Sequence, residues 1–203
     1  MKKFLVLALC ALVAFSACDR KKNVTPVEPE NDTTEVVAAL NVEHAIATDR
    51  ETMFAQYSEW YKWYETCVTY KNYLDEENDG EIEAIRNVFQ VIEKTDEDCF
   101  DTYVVQIYHT ADGKTETEVT HSFWLEDMPL NREEINVTFD EAFEKMNESN
   151  LTKPHSRNCV LRKQVAPKRS NAQYIFGNMS MQIYVDAQTG ETTDDNPAFA
   201  FKD

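Results

Sequence analysis

The clearest pattern of apolar and polar positions lies in the last third of the chain. Thr138 and Glu141 have the spacing of a capping box, in which each side chain accepts a hydrogen bond from the other residue's backbone N–H. Apolar side chains then recur at helical spacing, at Phe139, Ala142, Phe143 and Met146. This spacing predicts a helix that ends by Asn150 and packs one narrow apolar stripe on a sheet.

Three strand-like runs follow this helix, at residues 158–165, 173–176 and 179–185. Gly177 and Asn178 lie between the last two runs and predict a two-residue hairpin turn. After the third run, Asp186 can accept hydrogen bonds from the backbone of a turn, and Gly190 can supply the positive φ that the reversal needs. The predicted order is therefore helix, strand, strand, strand and turn.

An aromatic-rich segment opens the first half of the fold. Thr48 and Glu51 form a second potential capping box, so we expect the first helix to begin there. Aromatic residues then recur at helical spacing, at Phe54, Tyr57, Tyr61 and Tyr64, with Trp60 and Trp63 on a neighbouring stripe. Such rings either pack a helix on a sheet or form a stacking platform for sugar rings, and the helical spacing favours packing in the core.

The middle of the chain alternates in the manner of antiparallel strands. The predicted segments are a strand at 66–74, a turn at 75–80, a strand at 82–92, and a hairpin that joins 99–109 to 115–125 through the loop 111–113. The spacing within 82–92 also fits a helix, but the run 87–92 favours a strand. The hairpin register places Val119 opposite Val105 and His121 opposite Tyr103. The face it predicts as apolar carries Tyr103, Val105, Ile107, Val119 and Phe123.

Together these elements predict an α+β fold, with two helices packed on an antiparallel meander sheet. Residues 43–203 are expected to form one domain, since this length is enough for one core but short for two. Its C-terminal part, residues 138–191, has the helix-strand-strand-strand order described above.

The N-terminus has the features of an export signal. Residues 1–17 combine two lysines, a short apolar run and small residues, and the run is too short to cross a membrane as a helix. Ser16-Ala17-Cys18 resembles the lipobox of bacterial lipoproteins, and this resemblance implies that Cys18 carries acyl chains such as palmitate. The alternative is an ordinary signal peptide cleaved after Ala17.

The lipobox resemblance also predicts where the protein is found. Residues 18–42 have too few bulky apolar side chains to order themselves, so we expect a lipidated tether of about 25 Å. The expected location is the extracytoplasmic side of the bacterial cell envelope, on a lipid-anchored membrane, with the outer membrane favoured over the inner. The membrane is then a partner through the lipid anchor.

Charge is distributed very unevenly along this acidic chain, whose formal net charge is −17. Residues 149–185 carry six basic side chains and no acidic one, whereas residues 19–148 are strongly acidic. The overall charge argues against binding nucleic acid, because phosphates would be repelled over most of the surface. The basic segment either docks on the acidic remainder of its own domain, which we favour, or faces a partner. Its candidate binding residues are Arg162, Lys163, Lys168 and Arg169.

Candidate metal, cofactor and redox sites are few. His109 and His121 fall on one predicted face, but the register separates their rings by roughly 20 Å, too far to share an ion. We therefore predict no metal site and no cofactor. Three cysteines lie in the domain, Cys67, Cys99 and Cys159; their odd number leaves at least one thiol free, and the sequence does not tell which pair, if any, is bridged.

The last third of the chain resembles the PepSY and PepSY-like domains of exported bacterial proteins. The resemblance rests on Phe139-Asp-Glu-Ala-Phe143 in the helix and on Ile183-Tyr-Val-Asp-Ala-Gln-Thr-Gly-Glu191 in the closing strand and turn. The first half of the chain carries no recognisable second copy of these motifs. The resemblance implies a non-catalytic module of the kind found in protease propeptides and in exported proteins thought to bind or restrain peptidases.

Three functional hypotheses follow from the sequence. The first is a non-catalytic, lipid-anchored extracytoplasmic binding module for an unknown protein partner, with a peptidase-inhibitory role as one form of it. The second is a glycan or host-ligand binding lipoprotein that uses Trp60, Trp63 and Tyr64. The third and weakest is a cysteine hydrolase built on Cys159 and His155, and the absence of other catalytic motifs leads us to expect no enzyme activity.

Overall fold

A computed structural model describes residues 39–71, 80–97, 99–125, 127–165 and 170–199. The predicted signal sequence, Cys18, nearly all of the predicted tether, residues 72–79 of the predicted strand and acidic turn, Lys168 and Arg169 lie outside these residues. Predictions about them are neither confirmed nor contradicted by the structure.

The described residues form two helices and a nine-stranded antiparallel sheet, which confirms the α+β class. The helices are α1 (Val42–Tyr57) and α2 (Phe139–Glu148). The strands are β1 (Tyr61–Tyr70), β2 (Ile82–Asp96), β3 (Cys99–Thr110), β4 (Thr115–Thr120), β5 (Asp127–Met128), β6 (Asn158–Gln164), β7 (Gln173–Asn178), β8 (Met181–Asp186) and β9 (Thr192–Thr193). Short 3₁₀ turns occupy Ser58–Trp60 and Arg132–Glu134.

The sheet is not the single meander that the sequence predicted. Its order is β4-β3-β2-β1-β6-β7-β8-β9, with β5 paired to the end of β6. The chain runs outward from β1 to β4, returns through α2, and places β6 against the free side of β1, where Thr66 pairs with Leu161. The first half, α1-β1-β2-β3-β4, thus has the same element order as the second half, α2-β6-β7-β8-β9. The sequence showed no sign of this repeat.

The first helix differs from its prediction at both ends. It begins after Asn41, whose side chain accepts from His44 N, and Thr48 lies well inside it. It ends at Tyr57, because Ser58 takes a positive φ of 54°, which does not continue a right-handed helix. Tyr61 and the residues after it belong to β1, so the predicted aromatic helix is wrong beyond Tyr57.

Both helices pack on the same face of the sheet, which we call the helix face. The Asp49 side chain of α1 accepts from Asn87 of β2, and Asn87 lies directly opposite Thr66 of β1. Tyr70 points to the same side of β1 as Thr66, and its ring lies 4.7 Å from that of Phe143 on α2. One continuous core therefore joins α1, α2 and the sheet.

The second helix forms as the sequence predicted. Thr138 and Glu141 make both hydrogen bonds of the capping box, and the helix ends at Glu148. Its buried residues are the predicted stripe, Phe139, Ala142, Phe143 and Met146. The prediction succeeds because cap and stripe are local features that agree with each other and with the sheet below.

The predicted hairpin between β3 and β4 has the expected loop and register. Val105 pairs with Val119, and Gly113 takes a φ of 81° in the loop. However, β4 ends at Thr120, and Val119 and Phe123 are exposed rather than buried. The reason is position: β4 is an edge strand, while α1 packs mainly on β1 and β2.

The turn between β7 and β8 lies two residues later than predicted. Asn178 pairs with Met181, so Met179 and Ser180 form the turn and Gly177 is part of β7. A Cβ on Gly177 would lie 2.2 Å from the Met181 carbonyl oxygen and 2.6 Å from Pro154 Cβ. A glycine is therefore needed at position 177 because the Met181 backbone and the Pro154 side chain approach it closely, and not because this residue forms the turn.

Candidate functional site

The predicted aromatic site is not assembled on one surface. Trp60 is 42% exposed on the 3₁₀ turn, whereas Trp63 is only 3% exposed in β1 and its indole N–H donates to Glu65 O and Thr66 Oγ1. Tyr64 is half-buried, next to a register shift between Trp63 and Glu65. Trp60, Trp63 and Tyr64 were predicted to lie on one surface because they were expected to belong to one continuous helix. The helix ends at Tyr57, so this prediction is wrong.

The face of the sheet opposite the helices is the main candidate surface, and we call it the helix-free face. One row of paired residues crosses it from edge to edge: Glu116, Tyr108, Arg86, Cys67, Val160, Ile175, Tyr184 and Thr193. Within the described ranges, neither helix packs on this face. It combines buried apolar side chains, such as Val88 and Ile175, with partly exposed tyrosine, glutamine and arginine side chains.

Charged side chains alternate in sign at the centre of the helix-free face. Glu65 is 4% exposed and pairs with Arg86 on β2, and it lies directly opposite Arg162 on β6. Burial lowers the pKa of Arg86, but Glu65 outweighs it and raises the pKa above the usual value. Arg162 Nε in turn lies 3.8 Å from Asp127 Oδ1, a carboxylate that is almost fully buried. These pairs join β2, β1, β6 and β5 electrostatically.

The basic segment contacts the acidic remainder of its own domain, as the favoured interpretation expected. Arg157 lies 3.0 Å from Glu83, and Lys163 lies 2.5 Å from Glu134. With Arg162 beside Asp127, three basic residues of this segment have carboxylate partners inside the domain. The rest of the proposed basic binding patch, Lys168 and Arg169, lies outside the described residues.

The three cysteines in the described part of the chain form neither a disulfide nor a reactive pair. All three domain thiols are free; Cys67 and Cys159 lie on adjacent strands but on opposite faces of the sheet. Cys159 is fully buried on the helix face, and this burial raises the pKa of its thiol well above the ordinary value. The thiolate required of a nucleophile is therefore strongly disfavoured. His155 is exposed in the preceding loop, and nothing in this geometry supports a cysteine hydrolase.

A buried polar network on the helix face was not foreseen from the sequence. Asp49 Oδ2 accepts from Asn87 Nδ2 at 2.7 Å and contacts His109 Nε2 at 2.9 Å. Thr66 Oγ1 donates to Asn87 Oδ1 and accepts from the Trp63 indole N–H. The only sequence signal was the occurrence of Thr66 and Asn87 at inward strand positions. Each polar side chain of the network has a hydrogen-bond partner within it, so the network holds α1 against the sheet.

The described residues contain no cluster of three or more histidine, cysteine or acidic side chains that could hold a metal ion. His109 binds Asp49 and Thr115, while the His121 ring lies 5.7 Å from that of Tyr103. The two imidazoles thus have separate structural surroundings.

The turn after β8 has the geometry that the sequence predicted. Asp186 Oδ1 accepts from Gln188 N and Thr189 N at 2.9 Å each, and Gly190 has a φ of 75°. Burial alone would raise the pKa of Asp186, but these bonds and those from Asn171 and Gln173 outweigh it and lower the pKa. This is a structural role.

No helix in the described part of the chain is both long and apolar enough to cross a membrane. No family model, curated protein or solved structure matches the chain.

Proposed function

We propose that this chain is a non-catalytic, lipid-anchored binding module of the bacterial cell envelope, and that its helix-free face receives a protein partner. One observation carries the proposal: in the described residues both helices cover one side of the sheet and neither covers the other. Tyrosine, arginine and glutamine side chains cross that second side. Tyrosine and arginine are enriched at protein interfaces, so this composition fits protein binding.

The order of elements supports a PepSY-like assignment of residues 138–191. The helix, the three strands and the Asp186–Gly190 turn occur along the chain in the order that the resemblance implies. Because the first half of the fold repeats the helix-strand-strand-strand order, the proposed interaction surface extends over two such units. A partner that is a peptidase, restrained by this surface, is the form of the proposal closest to the PepSY resemblance.

The test is a pull-down from envelope extracts with two interface variants and a matched control. Gln106→Lys and Gln182→Lys each place one positive charge on the helix-free face, in different halves of the sheet. Ala55→Lys adds the same charge to an exposed position on α1. We expect wild type and Ala55→Lys to retain one stoichiometric partner, and both glutamine variants to lose it while their thermal unfolding stays cooperative. Equal capture by all four proteins would contradict the proposal, and a peptidase assay on the captured partner tests the inhibitory form.

A further inference from the structure

A groove beside the start of β1 collects positive charge in an otherwise acidic protein. Arg50 of α1, Lys62 of β1 and Arg132 of the second 3₁₀ turn line it, together with Tyr61, Trp63 and Leu130, and no acidic side chain does. The Arg50 guanidinium lies 6.0 Å from the centre of the Trp63 ring. Arg132 is held in place by donating to Ile135 O at 2.5 Å.

These three cations have no carboxylate partner in the described part of the chain. The basic residues that do form salt bridges there, such as Arg157 and Lys163, lie elsewhere. In a protein of net charge −17, leaving three cations unpaired around one groove keeps them available to an external anion. Arginine favours carboxylates, because its planar guanidinium can donate two parallel hydrogen bonds.

A small, mostly apolar cavity of about 50 Å³ adjoins the groove. Arg50, Trp63 and Arg132 line both spaces, and aliphatic and aromatic side chains, such as Ile46, Ile135 and Leu161, form the cavity wall. Its one acidic side chain, Glu43, accepts from Phe139 N at 2.9 Å. The cavity has room for a small aliphatic group, and Glu43 repels an anion from entering it. A ligand is thus oriented with its carboxylate at the groove and its apolar group inside.

The backbone beside the groove favours a peptide. β1 pairs with β6 only from Glu65 onward, so its edge at Tyr61 and Lys62 is not covered by β6. At the next position along this edge, Leu130 N already donates to Trp63 O at 2.7 Å. An extended chain entering the groove would lie along this edge, as in strand addition.

From these observations we infer that the groove binds the free C-terminal carboxylate of a polypeptide whose last residue is small and aliphatic. Arg50 and Arg132 hold the carboxylate, Lys62 adds positive charge at the rim, and the terminal side chain occupies the cavity. The inference does not depend on the helix-free face, since the groove lies between α1, β1 and the second 3₁₀ turn.

The test uses the full chain and a fluorescent pentapeptide, Gly-Ser-Gly-Ala-Val, as free acid and as C-terminal amide. We expect the amide to bind at least tenfold more weakly, because it lacks the charge that the arginines recognise. Arg50→Gln, Arg132→Gln and Lys62→Met should each weaken binding of the acid at least threefold. Lys114→Met, which removes an exposed lysine from the loop between β3 and β4, at the other end of the sheet strands, should leave it within twofold of wild type.

Two further probes separate the peptide from simpler anions. Isovalerate carries the carboxylate and the aliphatic group without a peptide backbone, and inorganic phosphate carries charge alone. We expect isovalerate to displace the peptide only at much higher concentration, and phosphate to be weaker still. Equal binding of acid and amide, or displacement by phosphate as effective as by isovalerate, would overturn the inference. The Trp63 indole N–H signal in NMR reports binding at the groove directly, and Lys62→Met, at an exposed position, tests the site without disturbing the core.

Discussion

His109 Nε2 on β3 lies 2.9 Å from Asp49 Oδ2 on α1, and both side chains are largely buried. The other ring nitrogen, His109 Nδ1, lies 3.1 Å from Thr115 Oγ1 on β4, so both nitrogens of the imidazole have a polar partner. The contact with Asp49 connects the first helix to a strand 60 residues later in the chain. It belongs to the buried polar network that also contains Asn87 and Thr66.

The Asp49–His109 contact predicts a measurable coupling energy. Asp49→Ala leaves Asn87 and His109 without their acceptor and should lower the free energy of unfolding by about 2–4 kcal/mol. His109→Phe leaves Asp49 bonded to Asn87 and should cost about 1–2 kcal/mol. In urea denaturation the double variant should be less destabilised than the sum, by about 1 kcal/mol or more. Strictly additive costs would show that the two side chains do not interact in solution.

Gly177 and Gly190 predict different costs for the same substitution. Both have positive φ, but a Cβ on Gly177 meets backbone and Pro154, whereas a Cβ on Gly190 meets the flexible end of Lys145. We expect Gly177→Ala to destabilise by about 3 kcal/mol or more and Gly190→Ala by about 1 kcal/mol. Thermal unfolding of the two variants under identical conditions checks the order, and a larger loss for Gly190→Ala would contradict it.

Asp186 predicts a contribution to stability that disappears in acid. Its pKa is lowered in the folded protein, so this contribution is complete above the unfolded pKa of about 4 and is lost as pH falls through the folded pKa. Because the carboxylate keeps contact with solvent, screening should hold the contribution below about 1 kcal/mol. Asp186→Asn should therefore be less stable than wild type at pH 6 and approach it near pH 3. The exposed Asp194→Asn is the control and should show no such convergence.

Arg162 and Lys163 are adjacent, but we expect their replacement to lower the free energy of unfolding by different amounts. Arg162 lies 3.8 Å from the buried carboxylate of Asp127 and opposite the buried Glu65, so Arg162→Met removes positive charge beside buried acids and should cost about 2–3 kcal/mol. Lys163 pairs with the exposed Glu134, so Lys163→Met should cost less than about 1 kcal/mol. Denaturation at low and high salt distinguishes the two substitutions, because salt should reduce the stability loss of Lys163→Met but not that of Arg162→Met. Equal losses would place Arg162 in a more solvated site than its neighbours indicate.

The lipoprotein hypothesis predicts a change of compartment on one substitution. Cys18→Ser removes the thiol that the lipobox resemblance assigns to acylation, so the variant should lack acyl chains and leave the membrane fraction. Membrane fractionation with mass spectrometry of the N-terminal peptide checks both outcomes. An acylated variant that still sediments wholly with membranes would refute the assignment.

The sequence by itself determined the elements whose signals are local. The α2 capping box, its apolar stripe, the Gly113 loop and the Asp186 turn all formed where predicted, because each depends on residues only a few positions apart. Where one short signal had competitors, the prediction failed. Thr48 and Glu51 matched a capping box, but Asn41 caps the helix seven residues earlier, and Gly177-Asn178 matched a turn that forms at Met179 and Ser180.

Only the tertiary structure decided how the two halves of the sheet join and which of their surfaces remain exposed. The pairing of Thr66 with Leu161 bridges residues 95 positions apart, and no periodicity within either strand encodes that choice. The same pairing places Glu65 opposite Arg162 and leaves the start of β1 free to form the basic groove. The helical spacing of the aromatic residues predicted one helix through Tyr64, but the chain leaves the helix at Ser58, which has a positive φ, and Trp63 is buried in β1. Contacts between distant strands set these outcomes, because burial and pairing energies outweigh local preference when the two conflict.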